Sequence, residues 1–253
     1  LSRRKSNTAR SKDQNGNTFY MKESKTIDFT QVQPKLNRVK KQLDLVPKSI
    51  NQEKYILSLI NESTDVVVVS GPAGTGKTYL AMIAAIKAYR EGKCNHIILT
   101  RPAVSVDDEK HGFLPGDLTA KMEPWTRPLL DVLKEYYSMK ELTYMLEEQI
   151  IEIAPLAFMR GRTFKNCYII LDEGQNATPA QIKMLLTRIG QNSKIIITGD
   201  TDQTDRKTAD NGLLDLHNKL KKHPVPGIDC CEFTVKDVQR HHIIEKVLKL
   251  YSS

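Results

Sequence analysis

Eight consecutive residues, Gly71-Pro72-Ala73-Gly74-Thr75-Gly76-Lys77-Thr78, have the types and spacing that hold a chain of phosphates. They form the pattern Gly-x-x-x-x-Gly-Lys-Thr. Gly71, Gly74 and Gly76 let the backbone curl so that its N–H groups point inward at phosphate oxygens. Lys77 brings a positive charge to the β- and γ-phosphates, and the Thr78 hydroxyl suits a Mg²⁺ ion. A glycine-rich turn can match this pattern by chance. Here a Val-rich apolar run over 66–69 precedes the loop, and an apolar helical pattern follows from Tyr79. That is the strand–loop–helix setting the chemistry needs, and the positive end of the helix adds to the attraction.

Other residues gain meaning from this loop. The run Cys167–Glu173 ends in Asp172-Glu173. Alone, such a pair is a strand ending in acids that face water. Downstream of a phosphate loop, Asp172 can hold Mg²⁺ through water, and Glu173 can polarise an attacking water. Gln203 lies beyond the next apolar run in Gly-Asp-x-x-Gln, where an amide can sense the γ-phosphate; without its context this is a turn. Gln52 lies upstream of Gly71, and its amide, which donates and accepts at once, suits an adenine edge. Phosphoryl transfer also asks for a guanidinium. Arg101, Arg160, Arg162, Arg188 and Arg240 are candidates, and spacing does not choose among them.

The elements that must position these groups follow from apolar periodicity. A helix is expected within 46–63, capped by Ser49 or Asn51, with Tyr55, Ile56, Leu59 and Ile60 on one face. Further helices are expected over 79–90, 129–148, 178–190 and 236–251, the third of these opened by Thr178 and Pro179 and closed by Gly190. Strands are expected over 96–100, 150–153, 167–173, 194–198 and 229–235. Strands alternating with helices argue for one α/β domain, a mostly parallel sheet with helices on both faces. Residues 103–128 have no long apolar period and read as an irregular insertion.

Charge is unevenly placed. The chain has 253 residues and a formal net charge of +8. Residues 1–45 hold 11 Lys/Arg against 4 Asp/Glu, and the remainder 27 against 26. The division is therefore a basic, partly disordered N-terminal arm over 1–45 and a folded domain over 46–253. Such an arm is usually solvated; the sharper alternative is contact with nucleic acid, with Phe19, Tyr20 and Phe29 available to stack. No apolar run spans a bilayer and the first residues do not read as a secretory leader, so no membrane partner and a cytoplasmic location are expected. Cys94, Cys167, Cys230 and Cys231 form no Cys-x-x-Cys pair and read as reduced thiols.

The chain resembles the PhoH-like proteins, P-loop ATPases related to superfamily 1 helicases. The likeness rests on GPAGTGKT (71–78), ILTRPAV (98–104), GFLPGDL (112–118), IEIAPLAFMRGRTF (151–164), YIILDEGQN (168–176), LTRIG (186–190), TGDTDQTD (198–205) and DVQRH (237–241). The resemblance implies a single RecA-like P-loop NTPase domain that hydrolyses ATP with Mg²⁺. It implies RNA or single-stranded nucleic-acid binding and assembly into a homo-oligomer, with a hexameric ring as one form. It implies nucleotide contacts along 71–79 and at Gln52, metal at Thr78 and Asp172, and catalytic roles for Lys77, Glu173, Gln203 and Arg240. Gly174 departs from the family, where Ala is common. Two alternatives stand beside an ATP-driven motor: a nucleotide-gated RNA- or protein-binding switch without unwinding, and a metabolite kinase, which the Asp-Glu pair and the Gly-Asp-x-x-Gln pattern disfavour.

Overall fold

A computed structural model describes residues 10–12, 18–20, 43–102, 127–201 and 211–239 of the chain. Within the basic arm, β1 (Arg10–Lys12) and β2 (Thr18–Tyr20) pair antiparallel, an element the reading of a tail does not include.

Six parallel strands build the main sheet: β3 (Val66–Ser70), β4 (His96–Arg101), β5 (Ile151–Pro155), β6 (Cys167–Leu171), β7 (Lys194–Gly199) and β8 (Ile228–Glu232). Their spatial order is β5-β4-β6-β7-β3-β8. Successive side chains on a strand point to opposite faces, so continuous apolar runs must be covered on both sides. Val67, Val69, Ile97, Leu99, Ile170 and Ile196 enter one core, and Val66, Val68, Ile98, Ile169, Ile195 and Ile197 enter the other.

The first core is covered by α1 (Ile50–Ile60), α2 (Lys77–Arg90), a helical segment α3 over 127–134 and α4 (Met139–Glu147). Leu43 and Leu45 also pack against it. The second is covered by α5 (Pro179–Leu186) and α6 (Gly212–Lys222). Ser49 caps α1 by accepting from the Gln52 N–H, and Tyr55, Ile56 and Leu59 are buried as expected, whereas Ile60 is exposed.

Four elements differ from the sequence reading. The helix expected over 129–148 is two helices, because Ser138 and Glu141 form a capping box that starts α4 afresh. The helix over 178–190 ends at Leu186, before Gly190. The last strand is 228–232 instead of 229–235, and the helix expected over 236–251 does not begin at 236: Val235–Asp237 is a single 3₁₀ turn and Val238 and Gln239 are not helical; its remainder, 240–251, lies outside the described residues. The helix α6 was not foreseen at all. Asn211 caps it, accepting from the Leu214 N–H, and Leu213, His217 and Leu220 form its buried row.

Register brings the C-terminal ends of the central strands level. Thr100 lies beside Leu171, Leu171 beside Ile197, and Ser70 beside Gly199. The residues just past those ends, Arg101, Asp172 and the phosphate loop, therefore meet along one edge of the sheet, where ligands of open α/β sheets bind.

Candidate nucleotide site

The loop 71–78 leaves β3 and feeds α2. Gly71 has φ 144°, and a β-carbon there would lie 2.5 Å from the Phe233 carbonyl oxygen, so only glycine passes between β3 and the segment after β8. Gly74 and Gly76 also have positive φ, 82° and 85°. The N-cap of α2 is Gly76, and no side chain caps the helix. Its first N–H groups are thus left to an anion. Lys77, 8 % exposed, folds back into the loop and donates from Nζ to the Gly71 and Pro72 carbonyls at 2.6 and 2.8 Å. Thr75 Oγ1 donates to the Pro72 carbonyl at 2.9 Å. A cleft of about 280 Å³ opens here, lined by Ala73, Gly74, Gly76, Lys77, Thr78 and Tyr79 on one wall and Asp172, Glu173, Gly199 and Asp200 on the other. Tyr79 is exposed, and its hydroxyl lies 3.2 Å from that of Tyr136.

The loop is braced from α1 and from the segment after β8. Gln52 is 3 % exposed; its Nε2 donates to the Thr75 carbonyl at 2.9 Å, and its Oε1 accepts from the Lys48 N–H at 2.8 Å. One N–H and one lone pair of that amide are already used by backbone, and one of each remains for an adenine edge. The Tyr55 hydroxyl donates to the Lys77 carbonyl at 3.2 Å. The Gln239 N–H donates to the Gly74 carbonyl at 2.9 Å. Asp237 anchors that last segment: its Oδ2 accepts from Asn51 Nδ2 at 2.9 Å and from the Thr234 N–H at 2.7 Å. Burial raises the Asp237 pKa, but hydrogen bonds from Ser49, Asn51 and Thr234 outweigh it and hold the carboxyl down at about 2.

On the opposite wall, Asp172 is 4 % exposed and carries donors on both oxygens. Thr78 Oγ1 and Thr198 Oγ1 each donate to Oδ1 at 2.7 Å. Arg101 donates to Oδ2 from Nε at 2.9 Å and also from Nη2. The Thr78 hydroxyl and the Asp172 carboxylate are hard oxygen donors in contact at the floor of the cleft, and they fit a Mg²⁺ whose other ligands are phosphate and water oxygens. Among the described residues there is no group of three or more His, Cys, Asp and Glu that could hold a metal.

Glu173 is exposed and has φ 57°, the left-handed region that a non-glycine residue rarely occupies. Its Oε2 accepts from Gln175 Nε2 at 2.6 Å, and Gln175 Oε1 accepts from the Asp200 N–H at 3.1 Å. Buried Gln175 thereby ties the carboxylate to the end of β7. Gly174 is also packed there: a β-carbon would lie 2.8 Å from Ile197 Cγ2.

The structure thus gathers Ala73, Gly74, Gly76, Lys77, Thr78, Tyr79, Asp172 and Glu173 around one cleft; Gln52 is buried and bonds the loop at the Thr75 carbonyl without lining the cleft. Gln203 and Arg240 lie outside the described residues. Of the arginine candidates, Arg101 reaches the site through Asp172; Arg162 pairs with Glu152 and lies over the Phe164 ring, and Arg188 bonds Thr187. Sequence reasoning missed Thr198 and Gln175. The only signal for Thr198 was its place at the end of an apolar strand adjoining the loop, and for Gln175 its place two residues after Glu173.

All four cysteines are free, three of them buried, and no helix among the described residues is long and apolar enough to cross a membrane. Comparison with known proteins agrees with the motif assignment. The PhoH-like protein family profile matches residues 44–252. A PhoH-like protein of Bacillus subtilis is 47 % identical over 205 residues, which are 81 % of this chain and 63 % of that protein. One of Synechocystis is 44 % identical over 204 residues, covering 81 % and 61 %. Protein PhoH of Escherichia coli is 39 % identical over 194 residues, covering 76 % and 54 %. The chain spans about three fifths of the length of these relatives. Among solved structures, the Pyrococcus furiosus Hef helicase domain matches with a TM-score of 0.40 at 14 % identity, covering 75 % of this chain and 38 % of that one. With a phosphate loop on a six-stranded parallel sheet, an Asp-Glu pair facing it, and a profile match across the whole folded region, the chain belongs to the PhoH-like protein family.

Proposed function

We propose that the chain is a Mg²⁺-dependent ATPase whose hydrolysis is coupled to RNA or single-stranded nucleic acid. The observation that carries the reading is the cleft itself. A phosphate loop with Lys77 and Thr78 faces the Asp172 and Glu173 carboxylates, and Thr78 and Asp172 are in direct hydrogen bond. Loop N–H groups and Lys77 hold the phosphates, Thr78 and Asp172 hold the ion, and Glu173 takes a proton from the attacking water. Bound Mg²⁺ would neutralise charge on the transferring phosphoryl group. Gln52 reads the adenine with its remaining N–H and lone pair, and Gln203 senses the γ-phosphate.

The division into an arm over 1–45 and an ATPase domain over 46–253 is part of this proposal. The arm's excess of positive charge supports contact with nucleic acid. A homo-oligomeric ring, in which a neighbouring copy completes the site, and a cytoplasmic setting belong to the same reading. Arg240 is the proposed guanidinium, from the likeness of Asp237-Val238-Gln239-Arg240-His241 to the family's motif.

The test is ATP turnover with and without single-stranded RNA, together with assembly mass. Strong stimulation by RNA supports the motor. Turnover that ignores RNA favours the nucleotide-gated switch, and a monomer both with and without ATP removes the ring.

A further inference from the structure

The carboxylate of the metal site already has a cation. Arg101 ends β4, and both Nε and Nη2 donate to Asp172 Oδ2, while Thr78 and Thr198 occupy Oδ1. A carboxylate 4 % exposed is costly to leave ionised without a partner, and Arg101 supplies one. The Arg101 side chain is 22 % exposed, so it is not sealed into the core. A divalent ion approaching Asp172 would meet a guanidinium bonded to Oδ2 of the same carboxylate, and like charges at that range repel.

We propose that Arg101 is a brake on the metal site: it holds Asp172 in the nucleotide-free chain and competes with the divalent ion for that carboxylate. The inference rests on Thr78 and Asp172 being the metal ligands, as proposed above. Its consequence is an order of events. Nucleotide phosphates give the guanidinium another anion to pair with, and only then is Asp172 released to the ion. Arg101 is then a positioning residue that links arrival of the nucleotide to metal binding. A purely structural Arg101, needed only to orient Asp172, has the opposite sign, because its removal would weaken metal binding.

The experiment uses Mn²⁺ as the probe, titrated into the full chain without nucleotide and followed by the electron paramagnetic resonance signal of the free ion. A charged neighbour changes a carboxylate's affinity for a proton by about 1–3 log units. Arg101→Met, which keeps length and removes charge, should therefore bind Mn²⁺ about tenfold or more tightly than wild type. Affinity that is unchanged or weaker, including no detectable binding in either protein, overturns the brake. Should Arg101→Met not fold, Arg101→Lys carries the test. It keeps the charge but loses the second nitrogen contact, and it should bind Mn²⁺ at least about twofold tighter; no gain overturns the proposal. Adding Asp172→Asn separates the two readings. If the double variant keeps the tight Mn²⁺ site, the ion does not sit on Asp172 and the metal-site reading fails. If Asp172→Asn abolishes ADP-dependent Mn²⁺ binding but Arg101→Met gains nothing, the metal site stands and the brake falls.

Discussion

Thr198 has its hydroxyl 3.4 Å from that of Thr78, and its replacement by Val should impair the site. It is fully buried, and its hydroxyl donates to Asp172 Oδ1 at 2.7 Å. Valine keeps the shape and removes that single donor. A hydrogen bond to a charged group contributes about 1.5–3 kcal/mol. Thr78 still donates to the same oxygen and Arg101 to the other, so Asp172 is not orphaned and the loss should fall near about 2 kcal/mol. In a domain of this size 1 kcal/mol moves the melting temperature by about 2–4 °C, so a fall of about 4–8 °C is expected. The Asp172 carboxylate also gains freedom to turn, so turnover should need more Mg²⁺ to reach half its maximum. Circular-dichroism melting of wild type, Thr198→Val and Thr198→Ser, with Mg²⁺ titrations of turnover, checks this. Serine keeps the donor and should behave nearly as wild type in Mg²⁺ demand. A melting shift below about 1 °C for Thr198→Val, or an equal Mg²⁺ defect in both variants, would refute the role of the hydroxyl.

Three other outcomes follow from the same contacts. Gly174→Ala should cost about 1–3 kcal/mol by overpacking against Ile197 Cγ2, and with Ile197→Ala, which removes that carbon, the double variant should lose less than the sum of the two single losses, as read by denaturant unfolding. Gln52→Ala removes a loop brace and the proposed adenine contact, so it should weaken ATP binding more than GTP binding; equal losses would assign Gln52 to bracing alone. The Asp237 carboxyl is held below its ordinary range, so its stabilising effect is complete above about pH 4 and is lost as pH falls through about 2. Asp237→Asn should lower stability at neutral pH and flatten the acid-unfolding profile between those values, and an unaltered profile would show that the clasp onto Asn51 and Thr234 contributes nothing.

How much of this was legible in the sequence depended on distance along the chain. The phosphate loop and its flanking elements are local, and β3, the loop and α2 stand where the Gly-rich spacing and Val-rich run put them. The cap at Ser49 and the Pro179 start of α5 are local too. The α6 row of Leu213, His217 and Leu220 has helical spacing, but a charged stretch of Asp, His and Lys residues runs through it and masked the period. The Arg101–Asp172 contact was not legible, because the two residues are 71 positions apart and meet only through the pairing of β4 with β6. Thr198 was hidden for the same reason, since its hydroxyl gains a partner only when β7 lies beside β6. The backbone shape at Glu173, which aims its carboxylate, also came from the fold: nothing in Asp-Glu-Gly-Gln specifies a left-handed glutamate held by the residue two positions on.

The decisive comparison is single-turnover ATP hydrolysis by wild type and Glu173→Gln, with ATP affinity measured on the same preparations. Glutamine keeps the size of the side chain and its place on the cleft wall but cannot accept the water's proton. ATP binding should stay within a few-fold of wild type while hydrolysis falls by about 10²–10⁴-fold. Hydrolysis by Glu173→Gln at the wild-type rate, with ATP bound as tightly as before, would contradict the assignment of Glu173 as the base.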